Sequence, residues 1–290
     1  MILQREISAI AKHAGVSKTI IDKDWVLGHF IDAIYSIKGL KEKLIFKGGT
    51  CMKKCYLPEY RFSEDLDYTS TDDKFVLTKE LVAEITNLVI ERTGMACHIA
   101  SFQDLIFKNE KTGYEIIVKY WGADHQINSA VPPPERWQTS IKIEIILYEL
   151  LLFPPIKKKV IHPYSDKLSA NAAKIPCYTI DEVMSEKIRA LMQSKYTAPR
   201  DYYDIWYLSK NYELDTDKIV QAFKKKVKYK NLEFTGIEQL INPRHEKILK
   251  HNWKNSLEHQ IPKGALMDYT IVIAEVQEFF EKIFKNHNNK

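Results

Sequence analysis

Cysteine is scarce in this chain: four among 290 residues, at Cys51, Cys55, Cys97 and Cys177. They lack the paired close spacing of a zinc site, and although Cys51 and Cys55 lie one helical turn apart, no matching Cys/His pair follows them. The pattern reads as reduced core or surface thiols of a cytosolic protein. Long apolar runs are also missing. The longest, residues 145–153, contains Glu149 and is far short of the ~20 residues a membrane span needs. The amino terminus, Met1-Ile2-Leu3-Gln4-Arg5-Glu6, carries an acid early and no apolar run, so it is no secretory signal. Glycine and proline are modest, and there is neither an internal repeat nor a low-complexity tract. These absences leave an ordinary soluble, cytoplasmic protein without a membrane partner, and the length suggests about two domains. Strong charge of one sign is lacking too, since the formal net charge is only +5.

What is present is concentrated in Phe46-Lys47-Gly48-Gly49-Thr50 and Arg61-Phe62-Ser63-Glu64-Asp65-Leu66-Asp67. Leu44-Ile45-Phe46 predicts a short buried strand, and the two glycines predict a turn before a helix over residues 51–57. Without a Cβ the backbone there can lie close to a phosphate. The N–H groups of Gly49 and Thr50 would then face an anion at the positive end of the helix dipole. Asp65 and Asp67 flank Leu66, so in an extended segment both carboxylates share a face while leucine anchors the other. Such oxygens suit Mg2+, usually held by one or two carboxylates with substrate phosphates and water completing the octahedron. Each half alone has a plainer reading, a turn for Gly-Gly and a solvated or capping acid for Asp-x-Asp. Together they are what metal-dependent nucleotide transfer requires.

Four segments in this order make the chain resemble the AbiEii/AbiGii-type toxins of the nucleotidyltransferase superfamily, which shares the DNA polymerase β-like palm. They are Lys47-Gly48-Gly49-Thr50, the Arg61 to Asp67 segment, Glu186-Lys187-Ile188-Arg189-Ala190-Leu191 and Arg200-Asp201-Tyr202-Tyr203-Asp204, within residues 40–210. The resemblance implies an α+β fold with a mixed-sheet palm, N-terminal helices packed on it and a C-terminal helical domain. It implies transfer of a nucleoside monophosphate from an NTP with release of pyrophosphate, Mg2+ on Asp65 and Asp67, and Glu144 as a third carboxylate from a neighbouring strand. Lys47, Gly48, Gly49, Thr50 and Ser63 are implied to cradle the phosphates. Lys187 is implied to neutralise the triphosphate, with Asp204 catalytic beside it and Arg200 and Asp201 supporting at the nucleotide. A further implication is a growth-arresting toxin kept silent by a cognate antitoxin protein, with the tRNA 3′ end among the acceptors known in related enzymes.

Periodicity organises the rest. Residues 3–37 predict two helices, with Ile7, Ile10, Ala11 and Ala14 on one face of the first and Trp25, Leu27, Phe30, Ile31 and Ile34 in the second. Residues 79–93 predict a helix ended by Gly94. The period then changes to two, predicting strands over 98–108, 114–120 and 139–147, the first two joined by a turn at 109–113. Pro132-Pro133-Pro134 must be a loop. Pro154-Pro155 marks a boundary, giving N-terminal helices over 1–40, a palm over 41–155 and a mostly helical domain over 156–290, whose last residues, 286–290, are expected to fray.

Several residues have two readings. Glu144 alternates with Ile141, Ile143 and Ile145, as a ligand or as a solvent-facing strand acid. Lys187, beside the stripe Ile180, Val183, Met184, Ile188 and Leu191, is a phosphate-facing cation or a snorkelling lysine paired with a local acid. Thr179 and Glu182 form a capping-box pattern. Arg200, Asp201 and Asp204 can share a helix face, as a site or as an ordinary ion pair, while Tyr202, Tyr203, Trp206 and Tyr207 are expected to pack that helix. The basic clusters, residues 157–159 and Lys224, Lys225, Lys226, Lys228 and Lys230, are solvated faces, or a phosphate-contacting surface if the acceptor is RNA. Two other functions share the glycine and aspartate motif: an antibiotic-modifying or other small-molecule nucleotidyltransferase, and a nucleotide-binding regulator without catalysis.

Overall fold

The computed structural model describes residues 2–125, 130–193 and 197–285, so the expected fraying of 286–290 falls outside the described residues. The chain divides into two compact units, Met1–Glu149 with Pro155–Tyr178, and Leu150–Pro154 with Thr179–Lys290.

The first unit opens with α1 (Gln4–Ala14), which buries Ile7 and Ala11 and ends at Gly15 in the left-handed region, φ +66°. Ser17 then starts α2 (Lys18–Ser36) by accepting the Ile20 N–H. After α3 (Lys38–Lys41) come β1 (Leu44–Lys47), α4 (Gly48–Cys55), β2 (Asp65–Ser70), α5 (Lys79–Thr93), β3 (Ala96–Phe107), β4 (Glu110–Trp121), β5 (Ser140–Ile146), β6 (Ile156–Lys158) and β7 (Ile175–Cys177). The strands form one mixed sheet in the order β3-β4-β5-β2-β1-β7-β6. One sheet face carries Phe46, Leu66, Tyr68, Ile116, Ile143 and Ile145, all buried. Each contributes about 1.5–3 kcal/mol by leaving water.

Three local expectations change. The helix after β1 starts at Gly48, not at Cys51, so the paired glycines are its first turn rather than a turn before it. The β3–β4 connection is only Lys108-Asn109, both with positive φ, +49° and +67°, as a two-residue hairpin turn demands. Gly113 therefore lies inside β4, where a Cβ would sit 2.2 Å from the Ile145 carbonyl oxygen. Finally, residues 155–178 belong with the sheet and not with the helical part. β7 runs parallel to β1 through Phe46 and Cys177, and β6 pairs antiparallel with β7, so the division falls after Tyr178.

Helix α2 is buried almost all round, yet it carries four buried polar side chains, each bonded to the segments that wrap it. Asp22 accepts the Ala123 N–H at 2.7 Å, Asp24 meets Lys54 of α4 at 2.5 Å, His29 meets Asp166 at 2.9 Å, and Asp32 pairs with Arg92 at 2.9 Å. Buried polar groups need such partners. Lys54 is thereby held from the α2 side, and with it α4.

The second unit contains α6 (Ile180–Gln193), α7 (Pro199–Asn211), α8 (Thr216–Tyr229), α9 (Pro243–Leu257) and α10 (Tyr269–Lys285). Thr179 caps α6 through the Glu182 N–H, 3.2 Å, but Glu182 does not complete a capping box. Its carboxylate instead accepts the N–H groups of Leu152 and Phe153 and pairs with Lys226 at 2.5 Å, both side chains fully buried. Lys226 is thus withdrawn from the basic surface, which keeps Lys224, Lys225 and Lys228 exposed. Tyr202 is buried with its hydroxyl on the Leu240 carbonyl, and the Tyr203 and Trp206 rings lie tilted against each other within α7, so these aromatics pack the helix as expected. Among the described residues no helix is long and apolar enough to cross a membrane.

Candidate active site

In the first unit, sheet register assembles the acids. Asp67 of β2 lies directly across from Lys47 of β1 on one side and from Glu144 of β5 on the other. Asp65 lies across from Lys142, one pleat away on the same face. Lateral neighbours in a sheet point the same way, so Asp65, Asp67 and Glu144 form one acidic patch interleaved with Lys47 and Lys142. Leu66, between the aspartates, is fully buried on the opposite face.

The charges feel each other. Burial pushes the Asp67 carboxyl up to about 6; Lys47 works against this, and Glu144 and Asp65 add to it. Burial works against the charge on Lys142, but Glu144, Asp65 and Asp67 nonetheless hold its ammonium above the ordinary lysine range, and Glu144 accepts from it at 3.4 Å. A carboxylate crowded by two others and partly desolvated is one that a divalent ion would relieve. The donors are hard oxygens, the set that Mg2+ prefers, so the residues fit that ion.

The glycines bring α4 against this patch. Gly48 has φ +78°, and a Cβ there would stand 2.1 Å from Asp67 Oδ2; a Cβ on Gly49 would stand 2.9 Å from Ser63 Oγ and 3.1 Å from Arg61 Nη2. At Gly48 the left-handed φ and the close approach together call for glycine, whereas at Gly49 a Cβ would have to shift the ends of the Ser63 and Arg61 side chains. The Thr50 hydroxyl is buried and donates to the Asp65 carbonyl at 2.5 Å, tying α4 to β2, so only its N–H is left for an anion. Lys47 is also nearly buried, its ammonium 4.0 Å from Glu149. Sequence reasoning passed over Arg61 and Lys142. The signal for Lys142 was its place two residues before Glu144 on one strand face, whereas nothing in the sequence placed Arg61 beside Gly49.

In the second unit, Lys187 of α6 reaches α7, 2.6 Å from Asp204 and 3.3 Å from Asp201. Asp204 is fully buried and Lys187 largely so. Pro199 at the first helical position sets α7 so that Asp201 and Asp204, three residues apart, face this lysine. Arg200, in the first turn of α7, is exposed.

A mixed sheet bearing three carboxylates beside a glycine-started helix defines a nucleotidyltransferase-like α+β protein. MenT4, a nucleotidyltransferase toxin from Mycobacterium tuberculosis, has a similar fold, with a TM-score of 0.61 and 18% identity over 96% of this chain and 89% of that one. A protein from H. pylori described as a nucleotidyltransferase superposes with a TM-score of 0.51 and 14% identity, over 94% of this chain and 98% of that one. Identities this low speak for the fold alone. No curated protein matches the chain in sequence. The chain belongs to the AbiEii family, the nucleotidyl transferase toxins of type IV toxin–antitoxin systems, which it matches over residues 29–282. The match reaches well beyond residues 40–210, the part whose motifs could be named.

Proposed function

We propose that this chain transfers a nucleoside monophosphate from an NTP to an RNA acceptor, the 3′ end of tRNA, using Mg2+, and that it acts in the cytoplasm as a toxin restrained by a cognate antitoxin protein. The observation that carries the reading is the lateral row Lys47, Asp67, Glu144 with Asp65 one pleat away and Gly48 packed on Asp67. Asp65, Asp67 and Glu144 would hold the ion, which when bound neutralises charge on the α-phosphate and lowers the pKa of the attacking hydroxyl. Lys47 and Lys142 balance the carboxylates until it arrives. The N–H groups of Gly49 and Thr50, with the Ser63 hydroxyl and the Arg61 guanidinium, are assigned to the β- and γ-phosphates. Lys187 is assigned to the negative charge that builds on the leaving pyrophosphate, with Asp204 and Asp201 orienting its ammonium. Catalysis on this account is positioning and electrostatics. Lys224, Lys225 and Lys228 are assigned to the acceptor's phosphates, which makes binding weaken as salt rises.

The experiment is incubation of purified protein with Mg2+, each α-labelled NTP, and either total RNA or a small-molecule pool, beside an Asp65→Ala/Asp67→Ala double variant. Labelled tRNA that disappears in the double variant is the expected result. Label that survives the substitutions removes these aspartates from the mechanism. Product formed without RNA selects a small-molecule acceptor, and NTP binding with no labelled product selects a regulator.

A further inference from the structure

Behind the glycine-started helix lies a group of side chains that nucleotide transfer does not use. Cys51 and Cys55 stand one turn apart on α4, and Cys177 stands on β7 directly beside Phe46. All three are buried, and their sulfurs lie within 4.8 Å of one another. Cys97, on β3, is the one cysteine outside the group. A buried thiol usually packs as a small hydrophobe, and Cys177 can donate its S–H to the Ile175 carbonyl at 3.6 Å.

Three thiols brought together from two elements are also a ligand set, because the thiolate is the form that binds soft metal ions.

We propose that Cys51, Cys55 and Cys177 form a three-thiolate site for a soft d10 cation, Zn2+ or Cu+. Thiolates select such ions over Mg2+. With metal–sulfur bonds of about 2.3 Å, a trigonal set spaces its sulfurs about 4 Å apart, within the observed separation. Binding takes the cysteines as thiolates and releases their thiol protons to solvent. Because the site is enclosed, the ion is structural, tying α4 to β7 beneath Gly48 and Gly49. The other converging set, His29, His162 and Asp166, is a hydrogen-bond hub. Asp166 faces both Nε2 atoms at 2.9 Å and accepts from Trp25 at 3.0 Å, while both Nδ1 atoms lack the partner that orients a metal-bound imidazole.

The test uses the full chain, purified under reducing conditions from cells supplied with Zn2+ and assayed for bound metal by mass spectrometry. The stripped protein is then titrated with Co2+ as a spectroscopic probe and, separately, with Cu+ against a competing chelator. The expected result is a stoichiometric ion and sulfur-to-cobalt charge-transfer bands, with binding at least about tenfold weaker in Cys177→Ser and Cys55→Ser and unchanged in Cys97→Ser and His162→Ala. Tighter retention of Zn2+ or of Cu+ decides which ion it is. The proposal is overturned if the reduced wild type takes up neither ion at micromolar concentration, or if Cys177→Ser binds like the wild type. Should Cys177→Ser fail to fold, a wild-type Co2+ spectrum without charge-transfer bands overturns it equally.

Discussion

Asp67 is set between Lys47 and Glu144 by strand register, and its carboxyl is held up to about 6 by burial first, with Glu144 and Asp65 adding to the effect. A divalent ion has to displace that proton. Mg2+ affinity is therefore expected to fall by up to about tenfold per pH unit below ~6, measurable by calorimetric titration across the acid range; an affinity flat through that range would remove Asp67 from the metal centre. Asp67→Asn should lower nucleotide transfer by at least about a hundredfold with little change in melting temperature. Gly48→Ala should act differently. It places a Cβ 2.1 Å from Asp67 Oδ2 at φ +78°, so it is expected to destabilise by about 1–2 kcal/mol and to impair transfer beyond that loss, as read by parallel melting and activity curves. At this scale the sequence exposed the two aspartates and the glycines, because spacing by two fixes a strand face. It could not expose Arg61 beside Gly49, since the loop between α4 and β2 has no period to read.

At the scale of elements, α2 decides how the first unit holds α4. Asp24 and Lys54 are nearly fully buried at 2.5 Å, so Asp24→Ala leaves an uncompensated ammonium and is expected to cost about 3–5 kcal/mol in denaturant unfolding. Adding Lys54→Met should recover much of that loss; no recovery would show that Asp24 acts through Tyr164, whose hydroxyl it also accepts at 2.7 Å. Asp22 carries a pH signature. Burial, opposed by the Ala123 and Asp124 N–H groups, pushes its carboxyl up to about 7. A folded-state pKa above the unfolded value means the native state binds the extra proton. Its contribution to stability is thus present below about pH 4 and declines as pH rises toward 7, at up to about 1.4 kcal/mol per unit. Asp22→Asn should flatten this part of the stability–pH curve, and an unchanged slope would refute the assignment. The long elements were legible because periodicity needs length: α1, α2 and α5 fall where apolar spacing put them. β6 and β7, three residues each, are too short to show a period. Glu182 looked like a cap because local sequence cannot reveal that Lys226, on another helix, claims its carboxylate.

For the whole molecule, membership of the AbiEii toxin family turns the chemistry into a cellular expectation. Expression alone should arrest growth, and Asp67→Asn, accumulated to the same level, should relieve it; equal toxicity of the two proteins would dissociate toxicity from the carboxylates. The family and the α+β class were readable from four short motifs, whereas the partition of the chain was not, because the Pro154-Pro155 break falls between two pieces of one sheet-bearing unit. The account as a whole turns on where a divalent ion sits. Crystals grown with Mn2+ and a non-hydrolysable NTP, measured at the manganese edge, test this most directly. The account predicts an anomalous peak bounded by the carboxylates of Asp65, Asp67 and Glu144; at saturating metal, a peak elsewhere with those three side chains unliganded would contradict it.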